Sequence, residues 1–193
     1  MSTDNRSDAV PPDGTDVAQL RSRIEELEAE LASLQDDEGD GRKKMTIIAT
    51  KGTLDMAYPP LILASTAAAF GWEVIVFHTF WGLDILHEEK SEDLQLSSVG
   101  NPNMPVPNAL AALPGMDLLT TRMMNRRIAE NGTATIRELI DVSIESGVHL
   151  QACQMTADLM DYEDDDFYEG VEVGVGAATA LKHMGEADIQ LLV

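Results

Sequence analysis

The chain has 193 residues, 44% of them hydrophobic, and carries 34 acidic against 13 basic residues for a formal net charge of −21. That length and apolar content suit one packed domain beside a tail, while the charge sets binding to nucleic acid phosphates aside. A single cysteine, Cys153, excludes both an intramolecular disulfide framework and a Cys-x-x-Cys dithiol centre.

The N-terminal "MSTDNRSDAVPPDGTD" is polar and acidic, with no apolar core of a secretory signal. Residues 1 to about 16 read as disordered. In "DVAQLRSRIEELEAELASLQ", Leu20, Ile24, Leu27, Leu31 and Leu34 repeat at spacings of 4, 3, 4 and 3, a heptad seam of about two heptads. It reads either as a short coiled coil joining subunits or as a frayed, solvated helix, since an isolated helix this short is marginal. "DDEGDG" then reads as a linker, so residues 1–43 form a tail and residues 44–193 the domain.

From Met45 the texture changes. "KMTIIAT" reads as a buried strand, and "LDMAYPPLILASTAAAFG" as a helix ended by Gly71. Pro59 and Pro60 are expected in or near its first turn, where a missing N–H costs least. "WEVIVFHTF" is a second strand, "GLDILHEEK" a short helix, and "SSVGNPNMPVPNALAALPG" a loop. "MDLLTTRMMNRRIAEN" and "TATIRELIDVSIESG" are helices, the latter with Thr135 and Glu138 spaced as a capping box. "VHLQAC" is a third strand, "MTADLM" a short helix, "GVGAATALKHMG" another helix, and "DIQLLV" a final strand. Strands alternating with helices predict an α/β fold, an open and mostly parallel sheet with helices on both faces, preceded by the short helical tail. The most apolar stretch, "MAYPPLILASTAAAFGWEVIVF", is interrupted by two prolines, Gly71 and Glu73; a membrane span needs roughly 20 largely unbroken apolar residues. The expectation is a soluble, cytoplasmic protein with no membrane partner. Its acid-rich, lysine-poor composition suits a high-salt, halophilic cytoplasm, where salt screens self-repulsion.

Ligands of such sheets sit beyond the carboxyl ends of the strands. Three strand ends carry candidates: Lys51-Gly52-Thr53, His78-Thr79-Phe80-Trp81-Gly82 and Cys153-Gln154-Met155. A helix starting after Cys153 would point N–H groups at its sulfur and favour a thiolate; the alternative is a buried structural cysteine. Lys51 either holds an anion by charge or is an exposed turn residue. Trp81 either walls a pocket or belongs to the core. Thr79 and Gln154 complete the candidate surroundings. His78, His87, His149 and His183 show no metal-ligand spacing, and no metal or cofactor is expected. "VEVGVGAATALKHM" imitates a dinucleotide fingerprint, but only 17 residues follow Gly176 and Asp188 precedes its strand. The run "DYEDDDFYE" lacks the glycine and terminal glutamate of an EF-hand and reads as a solvated acidic loop.

Four stretches, "KGTLDMAYPPLILASTAAAFGWEVIVFHTFWGL", "GNPNMPVPNALAALPGM", "GVHLQACQMTADLM" and "GVEVGVGAATAL", resemble the DsrE/DsrF-like proteins, in particular the larger DsrE-type subgroup. The resemblance covers residues 44 to 193, in order. It implies a three-layer α/β fold, homo-oligomers and sulfur trafficking, with a lone cysteine at the position of Cys153 carrying sulfur as a persulfide. One thiolate can attack a sulfane sulfur, hold it and pass it on without a second cysteine. The implied partners are sulfur donor and acceptor proteins or small thiols. Two other classes stay open: a non-catalytic oligomeric binding or assembly protein, and a peroxiredoxin-like thiol peroxidase or disulfide-reductase-associated domain. "LMDYEDDDF" is more acidic than the family's usual stretch after the cysteine motif, which bears on partner choice.

Overall fold

The structure, a computed structural model, describes residues 21–24, 41–97 and 115–193. Contacts divide the chain into Met1–Arg42 and Lys43–Val193. In the first unit, residues 21–24 are helical and exposed; Leu20, Leu27, Leu31 and Leu34 of the heptad seam lie outside the described residues. So do residues 98–114, most of the expected long loop.

The second unit runs β1 (Lys44–Ala49), α1 (Leu54–Ala69), β2 (Glu73–His78), a 3-10 helix at Phe80–Ile85, α2 (Glu88–Glu92), α3 (Met116–Glu130), α4 (Ile136–Glu145), β3 (His149–Cys153), α5 (Gln154–Met160), a 3-10 turn at Asp164–Asp166, β4 (Glu172–Val175), α6 (Ala177–Glu186) and β5 (Ile189–Leu192). The strands form one five-stranded sheet in the order β4-β3-β2-β1-β5, every neighbouring pair parallel.

Near-continuous apolar strands such as "EVIVFH" suit this sheet because both faces are covered. Ile47, Val74, Val76 and Leu150 pack with Leu61 and Ala64 of α1 and Ile140 of α4. Alternate residues turn the other way: Ile48, Phe77, Cys153 and Val175 meet Ala180 of α6. The result is an α/β fold of three layers. Fully buried side chains such as Ile47, Leu61, Ile140 and Leu150 each contribute about 1.5–3 kcal/mol of burial free energy. Helix α4 opens on the expected capping box: Glu138 N–H donates to Thr135 Oγ1 at 3.2 Å, and Thr135 N–H donates to Glu138 Oε2 at 2.8 Å.

Three local expectations are corrected. Because Thr53 is the N-cap of α1, Pro59 and Pro60 fall in the second turn, beyond the first; the helix continues through them, with Pro60, Leu61 and Ala64 buried. The single helix expected at "GLDILHEEK" is a 3-10 helix and α2, parted at His87, which bridges to Phe167. Residues 172–175 form a fifth strand, β4, which the four expected strands did not include. It is a short, half-exposed edge strand in which Gly174 has φ 78°, so its apolar pattern is weak.

Candidate functional site

Parallel pairing brings the carboxyl ends of β1, β2 and β3 to one edge of the sheet. Cys153 is the last residue of β3 and the N-cap of α5; it is extended, with φ −69° and ψ 114°. Its side chain packs against Phe77 and is 3% exposed. Thr156 sits at the third helical position, where side chains and N–H groups turn back toward the N-cap. Burial raises the Cys153 thiol pKa. Hydrogen bonds from the Thr156 hydroxyl, the Thr79 hydroxyl and the N–H groups of Thr156 and Met155 lower it by more, and the thiol lies below its ordinary value.

The two threonines are themselves coupled. Thr79 Oγ1 lies 3.2 Å from Thr156 Oγ1, and Phe80 N–H donates to Thr156 Oγ1 at 3.1 Å. With an acceptor site of Thr156 taken by Phe80, its own O–H is available to the sulfur or to Thr79. Phe80 holds this position with φ 52°, a left-handed conformation that costs a non-glycine residue about 1–2 kcal/mol.

The loop after β2 is clamped to the end of β1 through two glycines. A Cβ on Gly82 would lie 2.4 Å from the Ala49 carbonyl oxygen, and one on Gly52 would lie 2.1 Å from that of Trp81. Thr79 N–H also donates to the Ala49 carbonyl at 3.0 Å. Close backbone approach, which only glycine permits, therefore fixes where Thr79 presents its hydroxyl.

The other candidates group separately. Lys51 and Trp81 line a cavity of about 500 Å3 together with Thr53, Asp55 and Asp84. Cys153 lines neither that cavity nor the one of about 460 Å3 bordered by Tyr58, Ile128 and Arg137. Gln154 Nε2 donates to Asp158 Oδ1 at 2.7 Å along α5. Thus Cys153, Thr79 and Thr156 form one constellation, and Lys51 with Trp81 forms its neighbour. His78 is fully buried and points to the opposite face, packed in register between Ala49 and Ala152. Its Nδ1 donates to the Val76 carbonyl at 3.2 Å and its Nε2 has no partner. Burial lowers its pKa to about 4, against the effect of its backbone hydrogen bonds, so it is neutral at pH 7. On the Cys153 face of β3, Glu172 bridges His149, at 2.5 Å, and Gln151, at 2.8 Å. Burial raises the Glu172 pKa, but these contacts and the nearby His183 lower it further. No cluster of three or more metal-ligating side chains occurs among the described residues, and no described helix is long and apolar enough to cross a membrane.

The family model of the DsrE/DsrF/DrsH-like family matches residues 41–192. The chain belongs to this family. It is 47% identical over 160 residues to "Sulfur carrier protein DsrE2" of Allochromatium vinosum, covering 79% of this chain and 99% of that protein. It is 29% identical over 156 residues to "Uncharacterized protein YrkE" of Bacillus subtilis, covering 78% and 97% respectively. The crystal structure of the ychN protein of E. coli superposes with a TM-score of 0.46 at 11% identity, covering 78% of this chain and 99% of that one.

Within this DsrE/DsrF/DrsH-like chain, Thr156 is the site residue that sequence reasoning missed. The available signal was its spacing: a Thr three residues after an N-cap lies within reach of the N-cap side chain.

Proposed function

We infer that the chain is a sulfur carrier, holding sulfur as a persulfide on Cys153 and passing it to a partner thiol. The carrying observation is the thiol itself: a lone cysteine at a strand–helix junction whose hydroxyl and N–H neighbours favour the thiolate against burial. The 47% identical relative bearing the name of a sulfur carrier supports the same reading.

The chemistry balances without a cofactor. The Cys153 thiolate attacks the sulfane sulfur of a persulfide, polysulfide or thiosulfate. A bond forms between Sγ and that sulfur, the donor's own bond to it breaks, and the donor's remainder leaves with the electron pair as thiolate, shortened polysulfide or sulfite. An acceptor thiolate then attacks the outer sulfur, and Cys153 leaves as the thiolate. The donors that lower the Cys153 pKa act twice, favouring ionisation of the nucleophile and stabilising it as leaving group. In this reading Lys51 meets an anionic donor at the neighbouring cavity, Trp81 walls it from water, and Gln154 supports the start of α5. The partners are donor and acceptor proteins or small thiols, and the chain works as a homo-oligomer in the cytoplasm.

The test is intact mass after exposure to polysulfide or thiosulfate, with and without reductant. The expected result is a gain of one or more sulfur atoms that reductant removes and that Cys153→Ser abolishes while leaving the fold intact. Oxygen gained only with peroxide would favour the peroxidase class instead. No thiol reactivity would favour a binding or assembly role.

A further inference from the structure

Cys153 is buried, yet the elements that flank it expose large apolar side chains. Phe80 and Trp81 are 48% and 57% exposed, their rings 5.1 Å apart and edge to face. Met155 and Leu159 are 74% and 69% exposed and lie four residues apart on α5, hence on one helix face. The Phe80 N–H bonds the hydroxyl of Thr156, which follows Met155, so the start of the 3-10 helix is held against the first turn of α5. Large side chains grouped in this way mark a binding surface.

The charge beside this patch is one-sided. Immediately after α5 come Asp161, Glu163, Asp164, Asp165, Asp166 and Glu169. Their loop is anchored: Tyr162 donates to Asp84 Oδ1 at 2.5 Å, Lys90 Nζ donates to the same Tyr162 hydroxyl, and the Tyr162 ring meets His87 edge to face at 4.9 Å. The acidic loop therefore follows α5 directly and is fixed, through Asp84, to the 3-10 helix that carries Phe80 and Trp81.

We propose that this surface docks a foreign protein segment that is apolar at its centre and basic at its rim, and that presents its thiol to Cys153. Charge complementarity selects this occupant over a second copy. An isologous contact sets a patch against itself, and here it would bring two acidic runs together between chains of net charge −21, where like charges facing each other are costly. Copies have other apolar faces to meet on, including exposed Phe70 on the end of α1, Leu119 and Met123 on α3, and Leu181 on α6. Only the delivery of a thiol rests on the sulfur-carrier reading; the docking stands on the surface.

The test uses the full chain and two labelled synthetic peptides of equal length. Both carry the same leucines, one with lysines and one with glutamates at the flanks, and serine replaces cysteine so that binding is read without sulfur chemistry. Fluorescence anisotropy should show the lysine peptide binding, more weakly as KCl rises, and the glutamate peptide not binding. Met155→Asp with Leu159→Glu should weaken binding about tenfold or more. Asp164→Asn, Asp165→Asn and Asp166→Asn together should weaken it and flatten its salt dependence. The proposal is overturned if neither peptide binds, if both bind alike, or if the Met155 and Leu159 changes leave binding untouched but dissociate an oligomer, which would assign the patch to a second copy. Binding as described with no sulfur loading of Cys153 would instead overturn the carrier chemistry and leave the docking surface standing.

Discussion

His78 makes the fold acid-sensitive in a calculable way. Its folded pKa is about 4 against an ordinary 6.5, because the ring is fully buried and the cost of desolvating its charge outweighs the backbone hydrogen bonds at Val76 and Gln151 that favour the proton. The folded chain therefore binds the proton less readily than the unfolded chain. The stability this represents is fully present above pH 6.5 and is lost as pH falls through the window from 6.5 to 4. A shift of this size corresponds to about 3 kcal/mol in all, of which about 2 kcal/mol is lost between pH 7.5 and pH 5. Protonation of surface carboxylates acts in the opposite sense in so acidic a chain, by relieving repulsion, so the effect must be read as a difference. Urea unfolding of wild type and His78→Gln at both pH values and equal ionic strength isolates it. Wild type should lose about 2 kcal/mol more than the variant on acidification. Equal losses would refute the reasoning and place a charged or solvated imidazole at the end of β2.

Gly82→Ala should cost roughly 2–3 kcal/mol, because the added methyl meets the backbone carbonyl of Ala49 and cannot be relieved by a rotamer change; thermal melts that match wild type would contradict the clamp. The region from Met45 onward carries 22 acidic against 7 basic residues, so its melting temperature should rise with KCl up to molar concentration, and a flat or falling curve would refute the high-salt reading of the surface. Deleting residues 1–43 should leave a domain that melts cooperatively; a truncated chain without a cooperative transition would contradict the proposed boundary.

The sheet was legible because "TII" and "VIVF" give a near-continuous apolar signal, as strands covered on both faces do, and "VHLQAC" alternates apolar with polar residues at strand period. β4 was not, since an exposed edge strand with a left-handed Gly174 has little apolar pattern to read. The position of Cys153 at a strand end was legible, as was Thr79. The distance between the candidates was not. Strand order is a tertiary property: β2 lies between β1 and β3, so the ends carrying Lys51 and Cys153 stand two strand spacings, roughly 10 Å, apart. Lys51 and Trp81 accordingly share a cavity that Cys153 does not line. Thr156 was missed because its role depends on where α5 begins; starting the helix at Gln154, with Cys153 as N-cap, is what brings its hydroxyl to the sulfur.

The claim that Cys153 is a nucleophile in the folded protein is tested most directly by its rate of alkylation as a function of pH, followed by intact mass under native conditions. The lowered thiol pKa predicts a reaction that titrates below a free thiol, and Thr156→Val should move that titration upward without unfolding the chain. If Cys153 stays unreactive until the protein is denatured, it is a packing residue of the Phe77 cluster and sulfur carriage at this position is ruled out.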